Sequence, residues 1–262
     1  MTQCRQWHGQ HNVPWVLAGG LLLAALLAGC VTETSGGLPP PAADSVRVRA
    51  QLDLARAYLE TDNFERARNP LNRALEIDST SVEAHVLLAV LYEREGEAEL
   101  AERHYQLALE SQPEHSQAMN NYASFLYTQQ RYVEAVALLR RLVDDVNYRA
   151  RSQAYENLGL AELQIGELAR AKAAFLRAVQ LNLVQPRAYL ELADMAYADA
   201  ELSQAREYYD RLLSQARQTP RALCLGMKLA HAAADTDQLA SYTLALNNIY
   251  PNSPESQSCE VL

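Results

Sequence analysis

The sequence predicts an all-α fold, a linear array of about six helix-turn-helix repeats. Three observations predict it. Ala67, Ala101, Ala135, Ala171 and Ala205 stand 34, 34, 36 and 34 residues apart in one local context. Each is followed four positions on by a large side chain: Leu71, Tyr105, Leu139, Phe175 and Tyr209. Each is preceded by small and apolar residues recurring at three- and four-residue intervals, the period of one helix face. A unit of this size cannot bury its apolar face alone, so it must stack on its neighbours.

The elements follow in order. In repeat one, Leu54, Ala55 and Tyr58 lie on the packing face of the first helix, and Ala67, Leu71 and Ala74 on that of the second. Repeat two, Val82 to His115, shows the logic most clearly. Leu88, Ala89 and Tyr92 form the first face, Gly96 opens the turn, Ala101 admits the second helix closely, and Tyr105 and Ala108 fill the gap before Pro113 stops the helix. Repeat three gives Tyr122, Ala123, Leu126, Ala135, Leu139 and Leu142. Repeat four gives Tyr155, Leu158, Gly159, Gly166, Ala171, Phe175 and Ala178, with Glu162 standing where a tyrosine or leucine is expected and Leu163 taking over part of its packing. Repeat five runs through Tyr189, Leu192, Ala193, Ala205, Tyr209 and Leu212 to Pro220.

The predicted boundaries are 48–81, 82–115, 116–151, 152–185 and 186–219, then a degenerate pair at 220–250 and an irregular tail at 251–262. The unit resembles a tetratricopeptide repeat, which implies a right-handed superhelix. The two extra residues before Ala171 belong in the Asp144 to Arg151 connection, because loops absorb insertions at small entropic cost. The last pair, Ala222 to Ala234 and Thr236 to Tyr250, reads as a cap whose unstacked outer face should be more polar.

Before the repeats, residues Val16 to Gly29 are apolar or small throughout and end in Leu27, Ala28, Gly29 and Cys30. The run is shorter than the roughly 20 residues a spanning helix needs, which favours a cleaved signal at residues 1–29 over an unprocessed anchor helix. The segment resembles a bacterial lipobox, implying diacylglycerol on the Cys30 sulfur and acylation of its new amino group. No other cofactor is expected. Several acyl chains exceed the two-signal threshold for stable membrane anchoring. Val31 replaces the aspartate associated with inner-membrane retention, so the resemblance implies delivery to the outer membrane by the lipoprotein sorting machinery. Residues 30–45 read as lipidated cysteine plus tether, the Ser/Gly/Pro-rich part of which reaches at most about 40 Å.

Removing residues 1–29 leaves 233 residues, and the formal charge of −9 becomes −10 as Arg5 is lost. With no Lys/Arg-rich cluster, nucleic acid is excluded as a partner. Cys4 leaves with the signal and Cys30 is lipidated, so Cys224 and Cys259 remain; they form a disulfide or stay as one buried and one free thiol. His85, His104, His115 and His231 show no metal-ligand spacing and no partner nucleophile, and read as solvated or packed residues of a non-enzyme. Glu93, Glu95, Glu97, Glu99 and Glu102 cross a turn and read as a solvated rim.

Repeats of this kind bind segments of other proteins, because stacked first helices line an extended concave groove. The alanine register assigns to it Arg49, Leu52, Arg56, Leu59, Glu83, Val86, Val90 and Glu93 in repeats one and two. Repeat three adds Asn120, Ser124 and Tyr127, repeat four Glu156 and Leu160, and repeat five Leu190, Asp194 and Tyr197. This places an apolar half, Leu52, Leu59, Val86 and Val90, at the N-terminal end, suited to an amphipathic helix or short apolar segment, with Arg56 and Glu93 setting its orientation. A clamp for a terminal carboxylate is disfavoured, because Leu52 and Val86 stand where it needs polar groups.

Lipobox, tether and six repeats together resemble the PilF/PilW family of type IV pilus pilotin lipoproteins. The segments Asn120 to Tyr127 and Tyr155 to Leu160, the junction Leu181-Asn182 with Gln185-Pro186, and the closing Tyr250-Pro251-Asn252-Ser253-Pro254-Glu255 carry the resemblance. It implies a periplasm-facing, outer-membrane protein that binds secretin subunits and promotes their multimerisation, on which pilus assembly and twitching motility depend. A general adaptor lipoprotein organising peptidoglycan enzymes, or a subunit of another envelope complex, has the same architecture and remains the alternative.

Overall fold

The computed structural model describes residues 43–259, which form thirteen α-helices and no strand among the described residues. The residues read from sequence as a signal segment, Cys30 and a tether lie outside the described residues up to residue 42, as do residues 260–262. Helices pair in chain order. The first five pairs are α1 (Asp44–Glu60) with α2 (Phe64–Ile77), α3 (Val82–Glu95) with α4 (Ala98–Ser111), α5 (Ser116–Thr128) with α6 (Tyr132–Val143), α7 (Arg151–Gln164) with α8 (Leu168–Leu181), and α9 (Pro186–Ala198) with α10 (Leu202–Leu213). The cap is α11 (Pro220–Ala232) with α12 (Thr236–Ile249), followed by the short α13 (Pro254–Ser258). Asp44 and Ser45 already belong to α1, so the helix begins earlier than the tether boundary predicted.

Local chemistry starts these helices. The Ser81 and Thr219 hydroxyls accept from the backbone N–H groups of Ala84 and Ala222, satisfying donors that the first turn leaves free. Pro186 and Pro220 occupy first helical positions, where a missing N–H costs nothing. The five register alanines are fully buried, and the side chains four positions on are 0–1% exposed. A methyl group at that point lets the second helix lie against the first, and the large residue fills the space between them. At Gly159 even a methyl is too much, since an added Cβ would lie 2.6 Å from the Phe175 ring.

The turn within every pair contains one left-handed residue: Asp62 (φ 54), Gly96 (φ 81), Gln130 (φ 60), Gly166 (φ 76), Ala200 (φ 58) and Ala234 (φ 54). Glycine accepts this geometry freely, whereas the other four residues carry a Cβ clash. The repeated turn sends each second helix back antiparallel, so the geometry survives where the glycine signature is lost.

The inserted residues fall in the α6–α7 connection, 144–150, which is tied down by Arg151 Nε donating to the Val143 carbonyl at 2.7 Å and by Ser116 Oγ donating to Asp145 at 2.5 Å. Glu162 is buried, and its carboxylate accepts from Arg140 at 2.8 Å, while Leu163 packs partly buried against the C-terminal half of the core. The substitution that looked like a packing defect is thus an ion pair between neighbouring repeats.

Three expectations are corrected. Leu54 is 44% exposed, and Leu52 and Leu59 supply the packing face with Val48 and Ala55. The tail holds the helix α13, capped by Ser253 and joined to α11 by the Cys224–Cys259 disulfide with Cα atoms 5.7 Å apart. The bridge seats Cys259 beside Leu223, Met227 and Leu246, which gives the tail an apolar contact that its sequence does not advertise. The cap exposes Leu244 and Ile249, so its outer face is less polar than expected.

Candidate protein-binding groove

The first helices of successive repeats, α3, α5, α7 and α9, pack side by side, and so do α1 with α3 and α9 with α11. Shifting the chain by one repeat superimposes four series of side chains on this face. The inner series is Leu52, Val86, Asn120, Glu156 and Leu190. Its first four members are buried, with Leu52 3%, Val86 6%, Asn120 7% and Glu156 6% exposed. Leu52, Leu59 and Val86 are therefore core residues, which removes the apolar N-terminal half predicted for the groove. Leu52 and Val86 lie in the series that turns beneath the neighbouring first helix, and Leu59, in the series of Glu93 and Tyr127, is buried in the cluster formed by the first two repeats. Asn120 meets the Asn157 amide at 3.2 Å, and Glu156 accepts the Ala188 N–H at 3.1 Å. Burial raises the Glu156 pKa, and the Ala188 bond opposes that shift.

The other three series reach the surface apart from Leu59, as does Leu190 at the end of the inner series. Val90, Tyr127, Leu160, Leu190, Tyr197, Asp194 and Glu93 are partly buried, and Ser124, Arg49 and Glu83 are exposed. Arg56 is held by Asp53 at 2.7 Å and by Glu83. Between repeats three and six the face opens into a pocket of about 760 Å³, where Tyr127, Leu160, Leu163 and Leu190 provide an apolar surface and Gln164, Arg187, Glu191 and Arg221 a polar wall. The apolar part of the groove thus sits toward the C-terminal repeats. Sequence reasoning missed Leu163, Gln164, Arg187, Glu191 and Arg221. The one-repeat shift contained the signal for Leu163 (from Tyr127) and for Arg187 (from Arg49 and Glu83).

The Glu191–Arg221 part of the polar wall is fixed in place. Arg221 donates to both oxygens of Glu191, at 2.5 and 2.8 Å, and also contacts Asp194. A bidentate guanidinium–carboxylate pair orients both groups, so the wall offers a defined pattern to a docking chain. Asp194 has its pKa raised by burial, against the pull of Arg221. Such a surface is suited to apolar burial bordered by directional polar contacts, and it contains no nucleophile with a base.

The histidines are packed or solvated as expected, whereas the acidic turn departs from expectation. His85 and His104 meet through their Nδ1 atoms at 3.0 Å, and His85 Nε2 lies 3.2 Å from the Ser79 carbonyl oxygen. Burial lowers both pKa values, that of His104 to about 4, with the neighbouring His85 adding to the effect. His115 instead accepts from the Ala118 N–H at the start of α5, and His231 is exposed. Among the described residues no group of three or more His, Cys, Asp or Glu could hold a metal ion. In the acidic turn Glu95 binds Arg68 at 2.6 Å, and Glu102 accepts from Tyr122 at 2.8 Å and from Arg131 at 2.6 Å, so those two join repeats together.

Comparison with known proteins places this geometry. A tetratricopeptide-repeat family model matches residues 52–111, 86–155 and 156–221. The type IV pilus assembly protein PilF of Pseudomonas aeruginosa is 43% identical over 239 residues, covering 90% of this chain and 94% of the relative. The chain belongs to this family of tetratricopeptide-repeat proteins of type IV pilus biogenesis. A solved structure described as a functional characterisation of Pseudomonas aeruginosa pilF superposes with a TM-score of 0.80 at 42% identity, covering 82% of this chain and 96% of that one. The crystal structure of PilW, described as a widely conserved type IV pilus biogenesis factor, shares the fold with a TM-score of 0.70 at 24% identity, covering 80% and 96% of the two chains. Membership gives the chain a role in type IV pilus biogenesis, and its repeats a role in protein–protein interaction.

Proposed function

We propose that the chain is an outer-membrane lipoprotein that captures secretin subunits in its groove and promotes their assembly into the multimeric pore. The observation that carries the reading is the apolar pocket between repeats three and six, bordered by the Arg221–Glu191 pair. The mechanism is physical. The groove covers an aggregation-prone apolar segment of the subunit, acyl chains on Cys30 supply the membrane address through the lipoprotein sorting machinery, and confinement to one membrane raises the local subunit concentration. The lipobox-like sequence ending at Cys30 supports the address, and 43% identity to PilF supports the machinery served.

The test is deletion of the gene, followed by detection of secretin multimers on unheated gels and in separated membranes. Complementation uses the wild type, Cys30→Ser and Leu160→Gln/Leu190→Asp, with helical content checked by circular dichroism. Multimers restored in the outer membrane by the wild type alone are expected. Normal multimers in the deletion strain would reject the proposal in favour of an adaptor for another envelope system.

A further inference from the structure

A second cavity, of about 260 Å³, lies between the α3–α4 turn and the end of α5, with Glu93 and Arg94 on its wall beside Gly96, Ala98, Phe125, Thr128 and Gln129. Glu93 stands one repeat before Tyr127, so the cavity continues the register of the larger pocket. The neighbouring cations are already engaged. Arg94 donates to the Leu59 carbonyl at 2.7 Å and to Asp62 at 2.9 Å, Arg68 is bound to Glu95, and Arg131 to Glu102 and Glu134. Glu93 has no ion-pair partner among the described residues, and the buried Tyr105 hydroxyl on α4 and the adjacent Arg94 favour its charged form against burial. From α5 the cavity receives only neutral groups. Thr128 donates its hydroxyl hydrogen to the Phe125 carbonyl at 2.7 Å, which leaves its oxygen free to accept.

A half-buried carboxylate without a counter-ion is costly, and the cost falls when a cation is brought to it. We propose that this cavity receives one basic side chain, lysine or arginine, from the segment that occupies the groove. The space suits one long side chain and excludes a secondary-structure element. The aliphatic stem lies against Phe125 and Ala98, and the charged head reaches Glu93 with Thr128 Oγ as a further acceptor. The cavity thereby fixes the direction and register of a segment whose apolar residues fill the larger pocket. The inference rests on the groove reading of the preceding section. Burial holds the Glu93 carboxyl up at about 7, with Tyr105 and Arg94 opposing, so insertion of a cation near neutrality displaces a proton and binding strengthens as pH rises through that value.

The experiment uses the full chain in detergent, with glutamate side-chain carboxyls labelled with carbon-13, titrated with Nα-acetyl-arginine methylamide and, as a neutral control, Nα-acetyl-glutamine methylamide. Saturating arginine probe is expected to lower the Glu93 pKa by about one unit and to shift the Gly96 and Thr128 amides, while the glutamine probe does neither. Glu93→Gln, an uncharged isostere of the protonated form, should keep the fold and weaken arginine-probe binding at least tenfold. An unmoved Glu93 titration, equal effects of the two probes, or full binding by Glu93→Gln would overturn the proposal. None of these outcomes depends on secretin, so failure here is distinguishable from failure of the secretin reading.

Discussion

Gly159→Ala isolates the packing device on which the repeat depends. In a helix interior this change ordinarily gains about 1 kcal/mol, because alanine has the better helix propensity. Here the new methyl would lie 2.6, 2.7 and 2.8 Å from three carbons of the Phe175 ring, which is fully buried between α7 and α8 and cannot swing away. Overpacking of this kind costs about 1–3 kcal/mol, and contacts below 3 Å against a fixed ring belong at the upper end. The net expectation is a loss of about 2 kcal/mol. With a urea m-value of about 2–3 kcal/mol/M for a chain of this size, the midpoint falls by roughly 0.7–1 M at unchanged slope. The assay is urea unfolding followed by far-ultraviolet circular dichroism, run in the parent and in a Phe175→Leu background. Removing the ring opens the space, so the same alanine should become neutral or stabilising there, giving a coupling of about 2 kcal/mol. A Gly159→Ala protein as stable as its parent, or an equal loss in both backgrounds, would refute the close-approach argument.

Three further predictions test other parts of the structure. Ala200→Gly should stabilise by about 0.5–1 kcal/mol by removing a left-handed Cβ clash, and Gly96→Ala, whose added methyl meets nothing within 4 Å, should destabilise by about 1 kcal/mol, both read by thermal unfolding. Cys224→Ser with Cys259→Ser opens a link spanning 35 residues, worth about 4 kcal/mol in the chain-entropy view; hydrogen exchange should accelerate in α12 and α13 and stay unchanged in α3 to α8. His104 has its folded pKa lowered from 6.5 to about 4, so the unfolded chain binds the extra proton first; stability is fully present above pH 6.5 and is lost as pH falls toward 4. His104→Gln should flatten that acid limb in melts between pH 7 and 4, and an unchanged limb would remove the histidine pair as its cause.

What the sequence determined by itself is the repeat: its period, its alanine and large-residue pairs, the insertion before α7, the cap, and the two cysteines now joined. These are legible because they depend on spacing within one helix or one turn, and a three- to four-residue period survives in any single sequence. What only the tertiary structure decided is which side chains remain on the surface once the first helices pack side by side. Leu52, Leu59 and Val86 satisfied the groove register, yet they are core, because Leu52 and Val86 belong to the series that lies beneath the neighbouring first helix and Leu59 is buried in the cluster formed by the first two repeats. The pairs Glu162 with Arg140, His85 with His104, and Glu191 with Arg221 join residues 19 to 30 positions apart, on different helices. Charge and burial at such sites depend on the relative placement of stacked helices, which no local period encodes, and the face available for binding is set there.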